Sequence, residues 1–141
     1  MLARLLYAKA KFGLRRSAML TSDVARSRSF YEYVLRGREL LLGKTKNRET
    51  FEQSIKLFMR ALELDPNHPK AYAALSMAYN LDYQNRWSDD PDSSLPLAKR
   101  CAEQAIEKDP NEPFARLVAS WAAIFGSAVR LPEQTAADWL R

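Results

Sequence analysis

The feature that most constrains this chain is a nine-residue unit that occurs twice. Residues 61–69 read ALELDPNHP and residues 105–113 read AIEKDPNEP, with seven of nine positions identical or close at a separation of 44. Self-similarity at such a spacing marks stacked supersecondary units that cannot bury their apolar faces alone. The unit itself is turn chemistry. Pro66 and Pro110 cannot continue the preceding helix, because proline lacks the amide hydrogen and clashes with the turn before it. Asn67 and Asn111 are expected to accept from the free amides of the next helix as N-caps. Pro69 and Pro113 then fall in its first turn, where a missing donor costs nothing. A link this short forces the two helices it joins to be antiparallel neighbours.

Helical periodicity flanks both units. Phe51, Ile55, Phe58 and Leu62 recur at intervals of four, three and four, one apolar stripe on a 3.6-residue period. Ala98, Cys101, Ala102, Ala105 and Ile106 form a smaller stripe before the second unit. After each unit the pattern resumes, with Tyr72, Leu75, Ser76 and Tyr79 on one side of residues 69–82. Leu117, Ser120, Trp121 and Ile124 share one side of residues 113–125. Residues 29–43 carry Tyr33, Gly37, Leu40 and Leu41. Small residues (Gly37, Ser76, Ser120) stand mid-helix beside large ones, as close helix approach requires.

Composition removes most other classes. The 141 residues are 47% hydrophobic and 28% charged, a folded rather than a disordered balance. Four glycines are too few for a phosphate-cradling loop or a turn-rich β fold. One cysteine and one histidine exclude a disulfide framework, a multi-thiolate zinc site and a two-histidine metal site. No apolar run reaches the roughly 18 residues of a membrane span. The expectation is a cytoplasmic protein with no metal and no cofactor. The net charge of +5 is local: residues 1–26 hold six basic residues against Asp23, and the remainder holds 16 of each sign. A neutral body argues against nucleic-acid binding. Residues 1–28 read as a basic N-terminal arm or lead-in helix. Charge interrupts their apolar stretch, and no small-residue cleavage site follows, unlike a secretory signal.

With these elements assembled, the chain resembles the tetratricopeptide repeat family. Tyr33, Gly37 and Leu40, then Ser54, Phe58, Ala61 and Pro66, match its aromatic–small–large first helix and its second helix with a closing proline. Tyr72, Ser76 and Tyr79, then Ala98, Ala102, Ala105 and Pro110, match a second repeat, and Pro113, Leu117 and Ser120 open a third. The resemblance implies an all-α, right-handed superhelical solenoid of antiparallel helix pairs over residues 29–141. Two full repeats (about 29–66 and 67–110) and a partial third (111–141) are expected. Two repeats exceed the usual length, and the excess is expected in loops at residues 43–47 and 83–96. The run YEYVLRGRELLLGKTK with NRWSDDPDSS is further similar to repeat segments downstream of bacterial class III adenylate or guanylate cyclase domains and in some winged-helix regulators.

Single residues offer little chemistry. Cys101 lies on an apolar stripe and reads as a small core residue; His68, between Asn67 and Pro69, reads as a solvated turn residue. Ser88, Asp89, Asp90 and Asp92 lack the glycine and late glutamate of a calcium loop and read as the start of a helix. Trp87 reads either as a cover over the gap between helices or as a recognition residue at the groove rim. The resemblance supplies a different site. When helix pairs stack, the first helix of each lines a concave surface. The family's contact positions there fall on Arg38, Lys70, Met77, Asn80, Phe114 and Trp121. Val34, Ala73 and Leu117 stand where carboxylate-gripping members have asparagine, so the groove reads as one for apolar anchors beside a few cations and amides.

The implied function is a non-enzymatic scaffold that binds a protein or peptide segment. The alternative is the regulatory repeat segment of a bacterial cyclase or transcription regulator, without its catalytic domain. Ala136, Trp139 and Leu140 are expected to give a last helix one buried face, with no polar cap behind it. That points to a longer array or to a homo-oligomer.

Overall fold

A computed structural model describes the backbone of residues 2–128 and the side chains of residues 22–125. Five helices fill the described residues, with no strand among them. They are α1 (Leu2–Leu42), α2 (Arg48–Leu64), α3 (Pro69–Asn85), α4 (Pro91–Lys108) and α5 (Pro113–Ala128). Consecutive helices pack against each other, and α3 additionally touches both α1 and α5, whereas α2 and α4 do not approach. A row whose odd-numbered helices touch and whose even-numbered helices diverge must bend. The odd helices therefore lie on its inner side. This is the helical-repeat solenoid of antiparallel pairs.

Local sequence accounts for the boundaries. Asn47 begins α2 with a capping box: its side chain accepts from the Thr50 amide at 2.9 Å, and the Thr50 hydroxyl oxygen accepts from the Asn47 amide at 3.0 Å. The repeated turns use a different device from the one expected of their asparagines. The Asp65 carboxylate accepts from the Asn67 amide at 3.2 Å, and Asp109 accepts from Asn111 at 3.0 Å. The aspartates thus close the turns, and the asparagines donate to them. Capping falls one residue later, on the variable position. His68 Nδ1 accepts from the Lys70 amide at 3.2 Å, and the Glu112 carboxylate accepts from Ala115 at 2.7 Å. Pro69 and Pro113 open α3 and α5 as their fixed φ favours.

The second long loop does not form. Helix α3 continues to Asn85 and α4 already begins at Pro91, so most of residues 83–96 is helical and Pro96 lies inside α4. The reason is Asp82, fully buried at the end of α3. Its carboxylate accepts from the Ser88 amide at 2.7 Å, from the Ser88 hydroxyl at 2.6 Å, and from the Ser94 hydroxyl. Three donors from the link and from the first turns of α4 converge on one charge, and they fold the link tightly. Arg86 takes the left-handed conformation (φ 55°) that ends α3. Outside this turn, Arg48 pairs with Asp89 through two bonds of 2.7 and 2.8 Å, and Arg86 pairs with Asp92. Both pairs are exposed and contribute little. Trp87 turns inward, 6.2 Å from the Phe51 ring.

Close packing explains the small residues. A Cβ at Gly37 would sit 2.4 Å from Cε1 of Phe58, whose ring is fully buried, so α1 and α2 cross where only glycine fits. Ser76 is buried and donates to the Ala98 carbonyl at 2.8 Å, joining α3 to α4. Ala71, Ala73, Ala74 and Ala78 are fully buried, because neighbouring helices surround α3.

Two outcomes follow. Gly37→Ala overpacks Phe58, which outweighs the roughly 1 kcal/mol gained in helix propensity. We expect a net loss of about 1–2 kcal/mol in urea unfolding. Asp82→Ala strands the Ser88 and Ser94 donors and lowers stability by about 3 kcal/mol. Ser88→Ala, which leaves Asp82 two of its contacts' positions, costs less in the same measurement.

Candidate binding groove

The inner helices α1, α3 and α5 carry the six expected contact residues, and the fold treats them differently. Arg38 of α1 and Phe114 of α5 are brought together: the guanidinium lies 4.5 Å from the ring centroid. The backbones of α1 and α5 do not approach, so this contact spans the face of α3. Arg38 is half-buried, and its Nε has no hydrogen-bond partner. Lys70, at the start of α3, places its ammonium 5.3 Å from the Tyr31 ring. Both cations rest on aromatic rings, a favourable placement over the negative π face. Met77 and Asn80 lie beneath the surface, and neither polar atom of the Asn80 amide is paired. Trp121 is half-buried against the core.

Large apolar side chains outside that set are exposed on the inner helices: Val24, Tyr31, Leu35 and Leu42 on α1, and Leu117 and Ile124 on α5. Leu35 and Leu42, with Arg38, Glu39 and Gly43, line a shallow depression of about 400 Å³. On α5, Phe114, Leu117, Trp121 and Ile124 follow at intervals of three, four and three, and so share a line. The Arg38–Phe114 contact turns the start of this line across α3 toward α1. The core side of α5 is made by Ala115, Val118, Ala119 and Ala122. Those positions also have helical spacing, and small residues at intervals of three, one and three were the signal that could have separated the two faces.

His68 is not a solvated turn residue. Its ring stacks on Phe30 at 4.2 Å, and its Nε2 lies 3.3 Å from the Tyr31 hydroxyl. With Nδ1 accepting from Lys70, the neutral ring carries its proton on Nε2. The imidazole therefore joins α1 to the start of α3, beside a cleft of about 400 Å³ lined by Asp23, Arg26, Asp65 and Pro66 among others. Burial holds its pKa below the ordinary value of 6.5. Lys70 pushes the same way, while Asp65 and Glu112 oppose. Burial pushes the Cys101 thiol up to about 11, which keeps it protonated and unreactive at neutral pH. Among the described residues no cluster of three or more histidine, cysteine or carboxylate groups could hold a metal ion, and no helix is long and apolar enough to cross a membrane.

These features define a helical-repeat protein whose inner face presents apolar side chains and ring-supported cations. Comparison with known proteins agrees. Residues 57–95, from the middle of α2 to the first turns of α4, match the tetratricopeptide repeat family. Over 83 residues, 59% of this chain, it is 30% identical to a protein of Rhizobium meliloti (strain 1021) named "Putative adenylate cyclase 3". The matched segment is 14% of that protein's length. No solved structure matches.

The lowered pKa of His68 sets a pH dependence. The unfolded chain takes up the proton first, so the neutral cap's contribution is complete above about pH 6.5 and declines as the pH falls toward the folded value. Melting temperatures from pH 7.5 to 5.5 should therefore fall more steeply for the native chain than for His68→Asn, which keeps a capping acceptor without the titration.

Proposed function

We propose that this chain is a non-enzymatic, cytoplasmic interaction module that binds a segment of a partner protein along the inner face of α1, α3 and α5. The carrying observation is the exposure of Leu117 and Ile124 on an inner helix, beside Phe114 and the cation of Arg38. Solvent-facing apolar residues on one line of a helix are anchor points for an extended or helical segment. Arg38, Lys70, Phe114 and Trp121 would form the walls with Leu35 and Leu117. Met77 and Asn80 would support the floor. The tetratricopeptide match and the unreactive state of Cys101 favour docking over catalysis. We propose no cofactor, metal or nucleic acid as a partner.

A second reading rests on the relative. A match covering a small part of a protein named for a cyclase fits a regulatory repeat segment of a larger signalling protein. In that case the same groove would receive another part of the signalling protein or its regulator. The reading frames flanking the coding sequence distinguish the two.

Binding to an array of random peptides tests the groove. Leu117→Glu, at an exposed position, and Trp121→Ala with Arg38→Ala should each weaken the peptides selected by the native chain by about tenfold or more, with the helical circular dichroism unchanged. Selected peptides that bind all variants equally place the docking surface elsewhere.

A further inference from the structure

Every exposed large apolar residue among the described residues of α1 falls on a single line. Val24, Tyr31, Leu35 and Leu42 are 67%, 45%, 57% and 54% exposed. With Arg28 and Arg38 between them, the steps are four, three, four, three and four, the 3.5-residue period of a coiled-coil seam. The adjacent line, Phe30, Val34, Gly37 and Leu41, is the one buried against this chain's own helices. Helix α1 thus presents two seams: the fold buries one, and of the other it engages only Tyr31, through His68 and Lys70, and Arg38, through Phe114, among the contacts described above.

Length and charge say what covers the other. At 41 residues α1 is about 61 Å long, against about 25 Å for the 17 residues of α2. Residues 22–28 are exposed without exception. In sequence, the same four-three register continues to Ala3 without a charged residue and passes through Leu14 and Tyr7. The position that follows every second seam residue holds Arg4 and Lys11 near one end of the helix and Glu32 and Glu39 near the other. Among the described residues, no ion pair uses either glutamate. A helix with cations at one end and carboxylates at the other end of the same flank is complementary to its own reverse. One antiparallel register brings Arg4 opposite Glu39 of the second copy and Lys11 opposite its Glu32. That register also layers Leu14 on Val24 and Tyr7 on Tyr31. A parallel pairing would instead set the two basic halves, residues 1–26 with six cations and one carboxylate, side by side.

We propose that the exposed seam of α1 is the interface for a second copy of this chain, paired antiparallel through α1. Each copy's basic half then lies along the Val24–Leu35 stretch of its partner. The inference does not rest on the groove reading, although Leu35 and Arg38 belong to both surfaces; Val24 and Glu32 lie outside the groove.

Sedimentation velocity and multi-angle light scattering of the full chain, up to sub-millimolar concentration, test it. The native chain should dimerise. Val24→Asp with Leu35→Glu, both at exposed positions, should abolish the dimer while circular dichroism stays helical. Glu32→Lys with Glu39→Lys should weaken it about tenfold or more, and adding Arg4→Glu with Lys11→Glu should restore it. A monomer at all concentrations overturns the proposal, as does a dimer indifferent to the Val24 and Leu35 changes. A dimer that needs the seam but ignores both charge reversals overturns the antiparallel arrangement.

Discussion

The stack depends on how closely its helices approach, and the side chains at the crossings set that distance. Helix α3 has neighbours on nearly every side, which is feasible because alanine and serine occupy much of its surface. Gly37 does the same for α1 at a single point, where the fully buried Phe58 ring fills the space that a Cβ would need. The odd-numbered helices can touch while α2 and α4 stay apart. From that inequality come the bend, the inner face and the contact of Arg38 with Phe114 across α3.

The pairing of helices was legible in the chain because turn and helix chemistry is local. Pro66, Pro69, Pro110 and Pro113 announce the ends and starts of helices wherever they are placed. What misled was chemistry that depends on one further residue. Asn67 and Asn111 have capping side chains, but the preceding aspartates already hold their amides, and the cap passes to His68 and Glu112. Residues 83–96 carry two prolines and a cluster of serine and aspartate, an ordinary loop signature. Asp82 outside that cluster draws Ser88 and Ser94 onto itself, and most of the stretch becomes helix.

The proposed groove residues follow from position in the repeat, which does not say how exposed each one is. Helical spacing places Arg38, Met77, Asn80 and Trp121 on particular faces. Exposure depends on which neighbours cover those faces, and α3 is covered on both sides while α1 and α5 are not. Hence Met77 and Asn80 sink, and Leu35, Leu42, Leu117 and Ile124 surface. A leucine on a helical stripe reads as core by default. On α5, alanines make the core face, and the larger apolar side chains are left outward.

By itself the sequence determined the helices, their antiparallel linkage and the small residues at their crossings, because each follows from forces acting within a few turns of one helix. Only the tertiary structure decided which face of α1 and α5 meets solvent, which ring receives each cation, and that the histidine is a joint rather than a turn. Those outcomes depend on side chains far apart in the chain, such as Tyr31 with His68, 37 residues on, and Arg38 with Phe114, 76 residues on. Burial and pairing between such distant groups are properties of the assembled stack.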